Sequence, residues 1–169
     1  MSLVPHIENW QSIRQFSSQT IPKERINRIL EAGRKAPSAK NRQPWRFIII
    51  DNPEVKKKIE TAAFGQEHVG QAPVIIAACT TNIDYRMPNG QISYPIDLTM
   101  AVSFMMLQAQ AEELGTCIVT TFDEQEVKEI LTVPYSMRVV MLLLLGQVEE
   151  KPFPTSRKPL KRIVSYNHW

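Results

Sequence analysis

The side chains able to do chemistry unaided are few and scattered. Histidine stands only at His6, His68 and His168, and cysteine only at Cys79 and Cys117. Neither set has the spacing of a metal centre, which needs ligands such as Cys-x-x-Cys or His-Glu-x-x-His to converge on one ion. The Gly-x-Ser-x-Gly elbow of serine hydrolases is missing. So are the glycine-rich loops Gly-x-x-x-x-Gly-Lys-Ser/Thr and Gly-x-Gly-x-x-Gly, which disfavours P-loop and Rossmann enzymes. Catalysis by this chain therefore calls for a borrowed reactive group. One stretch could hold an anionic part of it: Lys151, Arg157, Lys158, Lys161 and Arg162 fall between positions 151 and 162 with no acid among them. Such a run suits a compact anion such as phosphate, with a solvated basic tail as the alternative.

The elements that must position these groups follow from periodicity and breakers. After Pro22, suited to a first helical turn, Ile26, Ile29, Leu30 and Gly33 share a helix face until Pro37 restricts Ala36. A loop over Pro37–Pro44 leads into a β-branched strand at Arg46–Ile50, and Pro53 starts a second helix with Val55, Ile59, Ala62 and Ala63 inward. Pro73–Thr81 predicts a central strand. The polar segment after it, through Gly90, predicts a loop where substrate selection could sit. Asp97 is placed to cap a long helix carrying Leu98, Ala101, Val102, Met105 and Ala109, with Gly115 as its stop. Met100, Met105 and Met106 read as core packing. Cys117–Phe122 is a further strand, Asp123 with Glu126 a helix start, and Arg138–Val148 a strand buried on both faces. Pro152–Trp169 should run extended over a surface, that of another subunit included.

At 169 residues, with 43% hydrophobic and 22% charged residues, these elements make one α+β domain over 1–169. The net charge of +3 is interleaved and predicts no nucleic-acid footprint. The longest apolar run, Val139–Leu145, is too short for a membrane span, and no signal-peptide pattern opens the chain. A cytoplasmic protein with both cysteines buried and reduced is expected. Met1–Ser2–Leu3 leaves open an expression remnant at the start.

A flavin meets the chemical deficit, since hydride passes directly between nicotinamide and flavin while the protein binds, orients and tunes. Its phosphate needs cations, hydroxyls or backbone N–H groups, and its pyrimidine edge mixed donors and acceptors. Four stretches resemble the nitroreductase family at just these points. Ser12-Ile13-Arg14-Gln15-Phe16 resembles the family's N-terminal Arg-x-Ser-x-Arg/Lys motif, and the resemblance gives Ser12 to the phosphate and Arg14 to the ring's N1 and C2=O. Ala36-Pro37-Ser38-Ala39-Lys40-Asn41-Arg42-Gln43-Pro44-Trp45 is similar to the second signature. That places Pro37, Ser38, Ala39, Asn41 and Gln43 along the flavin ring, often in the partner subunit's site. Leu114-Gly115-Thr116-Cys117 followed by Phe122-Asp123 resembles a third segment, with Ile118 where tryptophan is usual, and makes Thr120 and Thr121 candidates for cofactor contact. The stretch from Glu150-Lys151-Pro152 to Trp169 is similar to the C-terminal segment and offers Arg157, then Lys158, to the phosphate.

The resemblance implies a nitroreductase-like α+β fold with a mixed central sheet, FMN as cofactor, NAD(P)H as donor and a small-molecule acceptor such as a nitroaromatic or quinone. It also implies a ping-pong mechanism and a homodimer with sites at the subunit interface. No metal, nucleic acid or membrane enters. One departure stands out: Trp10 occupies the place of the motif's first arginine. Trp10 and its neighbour Gln11 remain cofactor candidates, with Trp10 filling the core as a helix residue as the alternative. Rival functions are a flavin-cleaving or dehalogenating enzyme on the same fold and a non-catalytic flavin-binding protein.

Overall fold

The most apolar run in the chain forms an inner strand of the sheet. In the computed structural model, which describes residues 3–169, that run is Arg138–Gly146. Met1 and Ser2, on which the expected remnant largely falls, lie outside the described residues. In chain order the elements are α1 (Pro5–Glu8), α2 (Lys23–Arg34), a 3-10 turn (Ala39–Asn41), β1 (Trp45–Ile50), α3 (Pro53–Ala62), α4 (Glu67–Gln71) and β2 (Val74–Thr80). They continue with α5 (Tyr94–Ala111), β3 (Gly115–Val119), α6 (Glu124–Leu131), β4 (Arg138–Gly146) and a second 3-10 turn (Leu160–Arg162).

The sheet order is β1-β2-β4-β3, and each neighbouring pair is antiparallel. The expected mixed sheet is thus corrected for the four strands, with parallel pairing at the single bridge between Ser12 and Thr116. Side chains alternate across the sheet as the two-residue period requires. Ile75, Ala77, Leu142 and Leu144 enter one core with Ile59 of α3, Val69 of α4 and Val127 of α6. Ile76, Ala78, Leu143 and Leu145 enter a second core with Ile29 of α2 and Leu98, Val102 and Met105 of α5. Helices on both faces explain why β4 reads as a continuous hydrophobic run, as expected of it.

Several boundaries differ from the sequence reading, each for a local reason. Pro22 precedes α2 as its N-cap residue, extended at ψ 138°. Helix α5 starts at Tyr94, three residues before Asp97, because Pro95 suits a first turn and Ser93 provides the preceding corner. The same helix ends at Ala111, and the left-handed residue after it is Glu113, at φ 58°, leaving Gly115 to open β3. A side chain on Gly115 would collide with Ile13 and Val148. Of the three methionines, Met105 is buried and Met106 half-buried, but Met100 faces outward. Asn52 and Asp123 cap α3 and α6 by accepting backbone N–H bonds, the latter from Glu126 at 3.0 Å as its motif predicts.

Candidate functional site

Residues 10–14 lie across the start of β3. Ile13 donates its backbone N–H to the Thr116 carbonyl at 2.8 Å and buries its side chain. Ser12 bridges to Thr116 in parallel, and the segment carries Trp10 to one hollow and Arg14 to another. Trp10 lies beyond α1 and is half-buried, so it is not the core-filling helix residue allowed for above. Its indole Nε1 donates to Thr116 Oγ1 at 3.2 Å.

Three hollows meet this segment: one at Gln11 and Ile13, which Gly115, Val148 and Lys151 also line, and two that hold Trp10 and Arg14. The Trp10 hollow, of about 580 Å³, is lined by Ile7, Trp10, Gln11, Met106, Leu107 and Arg157 among others. It brings three of the predicted cofactor residues together: an apolar wall, an amide and a guanidinium. The Arg157 Nη1 donates to Thr155 Oγ1 at 2.8 Å, and both residues line the hollow. Lys158 is exposed and does not line it. The Arg14 hollow, of about 400 Å³, is lined by Arg14, Gln15, Glu67, His68, Gln71 and Glu149. Among the described residues Arg14 forms no ion pair within 4 Å, and the acids nearest to it in this hollow are Glu67 and Glu149. Burial, and then the positive charge of Arg14, push the His68 imidazole below its ordinary value of 6.5, which keeps it neutral at pH 7.

His68 and Gln71 were not expected from sequence; they sit on α4, five residues with no helical period to detect. The helix is anchored by Gln66, whose Nε2 donates to the carbonyl oxygens of Ala63 at 2.8 Å and Thr121 at 2.7 Å. That bond also locates Thr120 and Thr121. They lie just past the end of β3, exposed, and not within a strand as the sequence reading had it.

The loop at Pro37–Gln43 is strained and tied by hydrogen bonds. Lys40, Asn41 and Gln43 all have φ between 51° and 53°, a left-handed conformation that costs a non-glycine residue energy. Asp97, 2% exposed, holds the loop in place: its Oδ1 accepts the Ala39 N–H at 2.8 Å and its Oδ2 the Ser93 hydroxyl at 2.5 Å. Within the loop, Ser38 Oγ accepts the Gln43 N–H at 2.9 Å and Gln43 Nε2 donates to the Asn41 carbonyl at 3.2 Å. The loop is thus tied to the first turn of α5, whereas the Trp10 hollow meets α5 at Met106 and Leu107. Nine residues of helix separate Asp97 from Met106, or roughly 14 Å at ~1.5 Å per residue. One chain therefore does not bring Ser38, Ala39, Asn41 and Gln43 against Trp10, Gln11 and Arg157.

Neither thiol is a nucleophile at neutral pH. Burial, with a smaller contribution from Glu124, pushes the Cys79 thiol up to about 11, and burial also raises Cys117. Among the described residues no cluster of three metal-ligating side chains forms, and no helix is long and apolar enough to cross a membrane.

The family model described as the nitroreductase family matches residues 7–67 and 62–147. The chain belongs to the nitroreductase family. The crystal structure of a nitroreductase family protein from Clostridium difficile 630 superposes with a TM-score of 0.88 at 28% identity, over 100% of both chains. An NADH dehydrogenase of Thermus thermophilus is 29% identical over 91% of this chain and 90% of its own length. An FMN reductase [NAD(P)H] of Bacillus subtilis is 25% identical over 98% of this chain and 72% of its own. Other chemistries occur among similar proteins: a 5,6-dimethylbenzimidazole synthase of Rhodospirillum rubrum, 28% identical over 85% of this chain, and an iodotyrosine deiodinase of Haliscomenobacter hydrossis, 36% identical over 36% of it.

Proposed function

We propose that this nitroreductase-family chain is an FMN-dependent oxidoreductase that takes electrons from NAD(P)H and passes them to a small acceptor such as a nitroaromatic or quinone, in ping-pong order. The observation that carries the reading is the Trp10–Arg14 segment, which links a hollow containing Arg157 to one containing the unpaired Arg14 beside the neutral His68 and the Gln71 amide. These donors fit an elongated ligand with an anion at one end and a polar heteroaromatic edge at the other. Bound FMN supplies the two-electron carrier that the side chains lack.

In this scheme Ser12 and Arg157 hold the phosphate, with Lys158 in reserve on the tail. Arg14 places a positive charge beside the pyrimidine edge, where it favours the reduced, more anionic cofactor and raises its potential. Thr120, Thr121 and the Gln71 amide border the same end. The backbone of Pro37–Gln43 lines the ring.

The reading includes a homodimer in which each Pro37–Gln43 loop serves the partner's site. Two surfaces support this. Ile96, Met100, Phe104 and Leu107 form an outward stripe on α5, between 38% and 44% exposed. The tail leaves Phe153, Leu160, Ile163, Tyr166 and Trp169 exposed, and its hydrogen bonds beyond residue 152 are all internal to it. Apolar surface of this extent marks an interface.

The test is anaerobic addition of NADH and then NADPH to the FMN-loaded protein, with the oxidised-flavin absorbance followed at each step. Bleaching by either, and its reversal by a nitroaromatic or quinone, is the expected result; no bleaching by both sinks the reading. Light scattering should give the mass of a dimer, and deletion of residues 153–169 should reduce FMN affinity.

A further inference from the structure

The strained loop carries two cations that the flavin reading leaves without a task. The Arg42 guanidinium carbon lies 3.9 Å from the centroid of the Tyr85 ring, and Lys40 Nζ lies 5.6 Å from it. Among the described residues neither side chain donates a hydrogen bond to protein or pairs with an acid within 4 Å. Asp84 shares the hollow with Arg42 and Tyr85 and forms no ion pair with either cation within 4 Å. The ring takes up one face of the guanidinium through cation–π contact and leaves its in-plane N–H donors free.

Both sides of the platform are fixed. Tyr85 donates its N–H to Asn82 Oδ1 at 3.1 Å, and its carbonyl accepts the Ser93 N–H at 3.1 Å. Asn82 is held in turn by Thr80 Oγ1, and the Thr81 N–H is donated to the Pro44 carbonyl at 2.8 Å, joining the Tyr85 segment to the end of the strained loop. Two cations gathered over one aromatic ring, with their donors unspent on protein, form a receptor for a phosphate or carboxylate.

We propose that Lys40 and Arg42, supported by Tyr85, recognise an anionic group on the substrate that approaches the flavin. Two sources carry that chemistry: the ribose 2′-phosphate that distinguishes NADPH from NADH, and a carboxylate on the electron acceptor. The inference rests on the flavin reading for the loop's position, and it names the substrate charge that reading leaves open.

The FMN-loaded protein is titrated calorimetrically with NADP⁺ and with NAD⁺, and the oxidative half-reaction is timed with 4-nitrobenzoate and with neutral 4-nitrobenzyl alcohol. The rim predicts an anion preference in at least one arm, which Lys40→Gln with Arg42→Gln cuts about tenfold or more, the loss of a charge-assisted bond. Tyr85→Ala should lower the same ratio, and Tyr85→Phe, which keeps the ring, should preserve it. Equal behaviour of charged and neutral ligands in both arms, or a preference untouched by the double substitution, overturns the proposal. Absence of flavin bleaching would instead count against the oxidoreductase reading, and the NADP⁺ to NAD⁺ binding ratio would still judge the rim.

Discussion

Asp97 offers the sharpest separation of structural from functional roles. Its buried carboxylate accepts two hydrogen bonds, from the Ala39 N–H and the Ser93 hydroxyl. Hydrogen bonds to charged groups are worth about 1.5–3 kcal/mol each. Loss of both in Asp97→Ala therefore gives roughly 3–6 kcal/mol as an upper bound, reduced to about 3 kcal/mol once water reaches the freed groups. For a chain of this size that corresponds to a melting temperature lower by roughly 6–12 °C. Asp97→Asn keeps an acceptor for Ala39 at neutral strength and should lose about half as much. The bond also opposes the strain of three left-handed residues, so the freed loop relaxes away from its bound shape. About 1.4 kcal/mol of lost preorganisation would weaken FMN roughly tenfold. Thermal melts and flavin-fluorescence titration of the same samples measure the two effects separately. A lower melting temperature with unchanged FMN affinity would refute the placement of Pro37–Gln43 along the flavin. No change in either would refute the role of Asp97 as the loop's anchor.

Other perturbations follow from the same geometry. Trp10→Arg restores a cation beside Arg157, and FMN should bind roughly tenfold tighter while riboflavin, which lacks the phosphate, should not; an equal gain for both would place the phosphate elsewhere. Gly115→Ala brings a Cβ to 2.7 Å from Ile13 Cγ1 and 2.8 Å from Val148 Cγ2. The overpacking costs about 1–3 kcal/mol, or roughly 2–12 °C in a thermal melt, and a wild-type melting curve would contradict it. The lowered His68 value means that the unfolded chain takes up this proton first as the pH falls. Stability should then decline from about pH 6.5 downward, with this contribution fully present above it. The slope attributable to this group should vanish in His68→Gln, as denaturation at pH 5–7.5 can check.

Much of the architecture was legible because burial imposes a period on the sequence. Ile26, Ile29 and Gly33 on α2, and the unbroken run of β4, carry the signature of a face or a strand covered on both sides. Boundaries were less legible where two signals competed. Asp97 is a good cap residue, but Pro95 starts α5 earlier and frees the carboxylate for the Pro37–Gln43 loop. Gly115 is a good helix stop, but Glu113 takes the left-handed position, and the glycine is required instead by the close approach of Ile13. Those two displaced assignments share a cause, since each residue serves a contact distant in sequence, which local propensity does not encode.

The candidate site was legible by motif and not by geometry. Ser12, Arg14 and Arg157 stand out as polar residues at recognisable spacing, yet that spacing does not reveal that Arg14 and Arg157 face different hollows. His68 and Gln71 had no pattern at all, because α4 is held by Gln66 reaching Thr121, 55 residues away. Trp10 is the instructive case between these extremes. Its departure from the family pattern was visible at once, and its replacement role was not: the indole spends its single N–H on Thr116 and retains no donor for an anion. The phosphate end must then draw on the tail, where Arg157 already approaches the same hollow. If the tail supplies that charge, its position and its cationic content should matter more for cofactor retention here than in relatives that keep the N-terminal arginine. Arg157→Ala should therefore weaken FMN more in this chain than after Trp10→Arg, and additive losses in the four-protein cycle would show that the two positions do not share one phosphate.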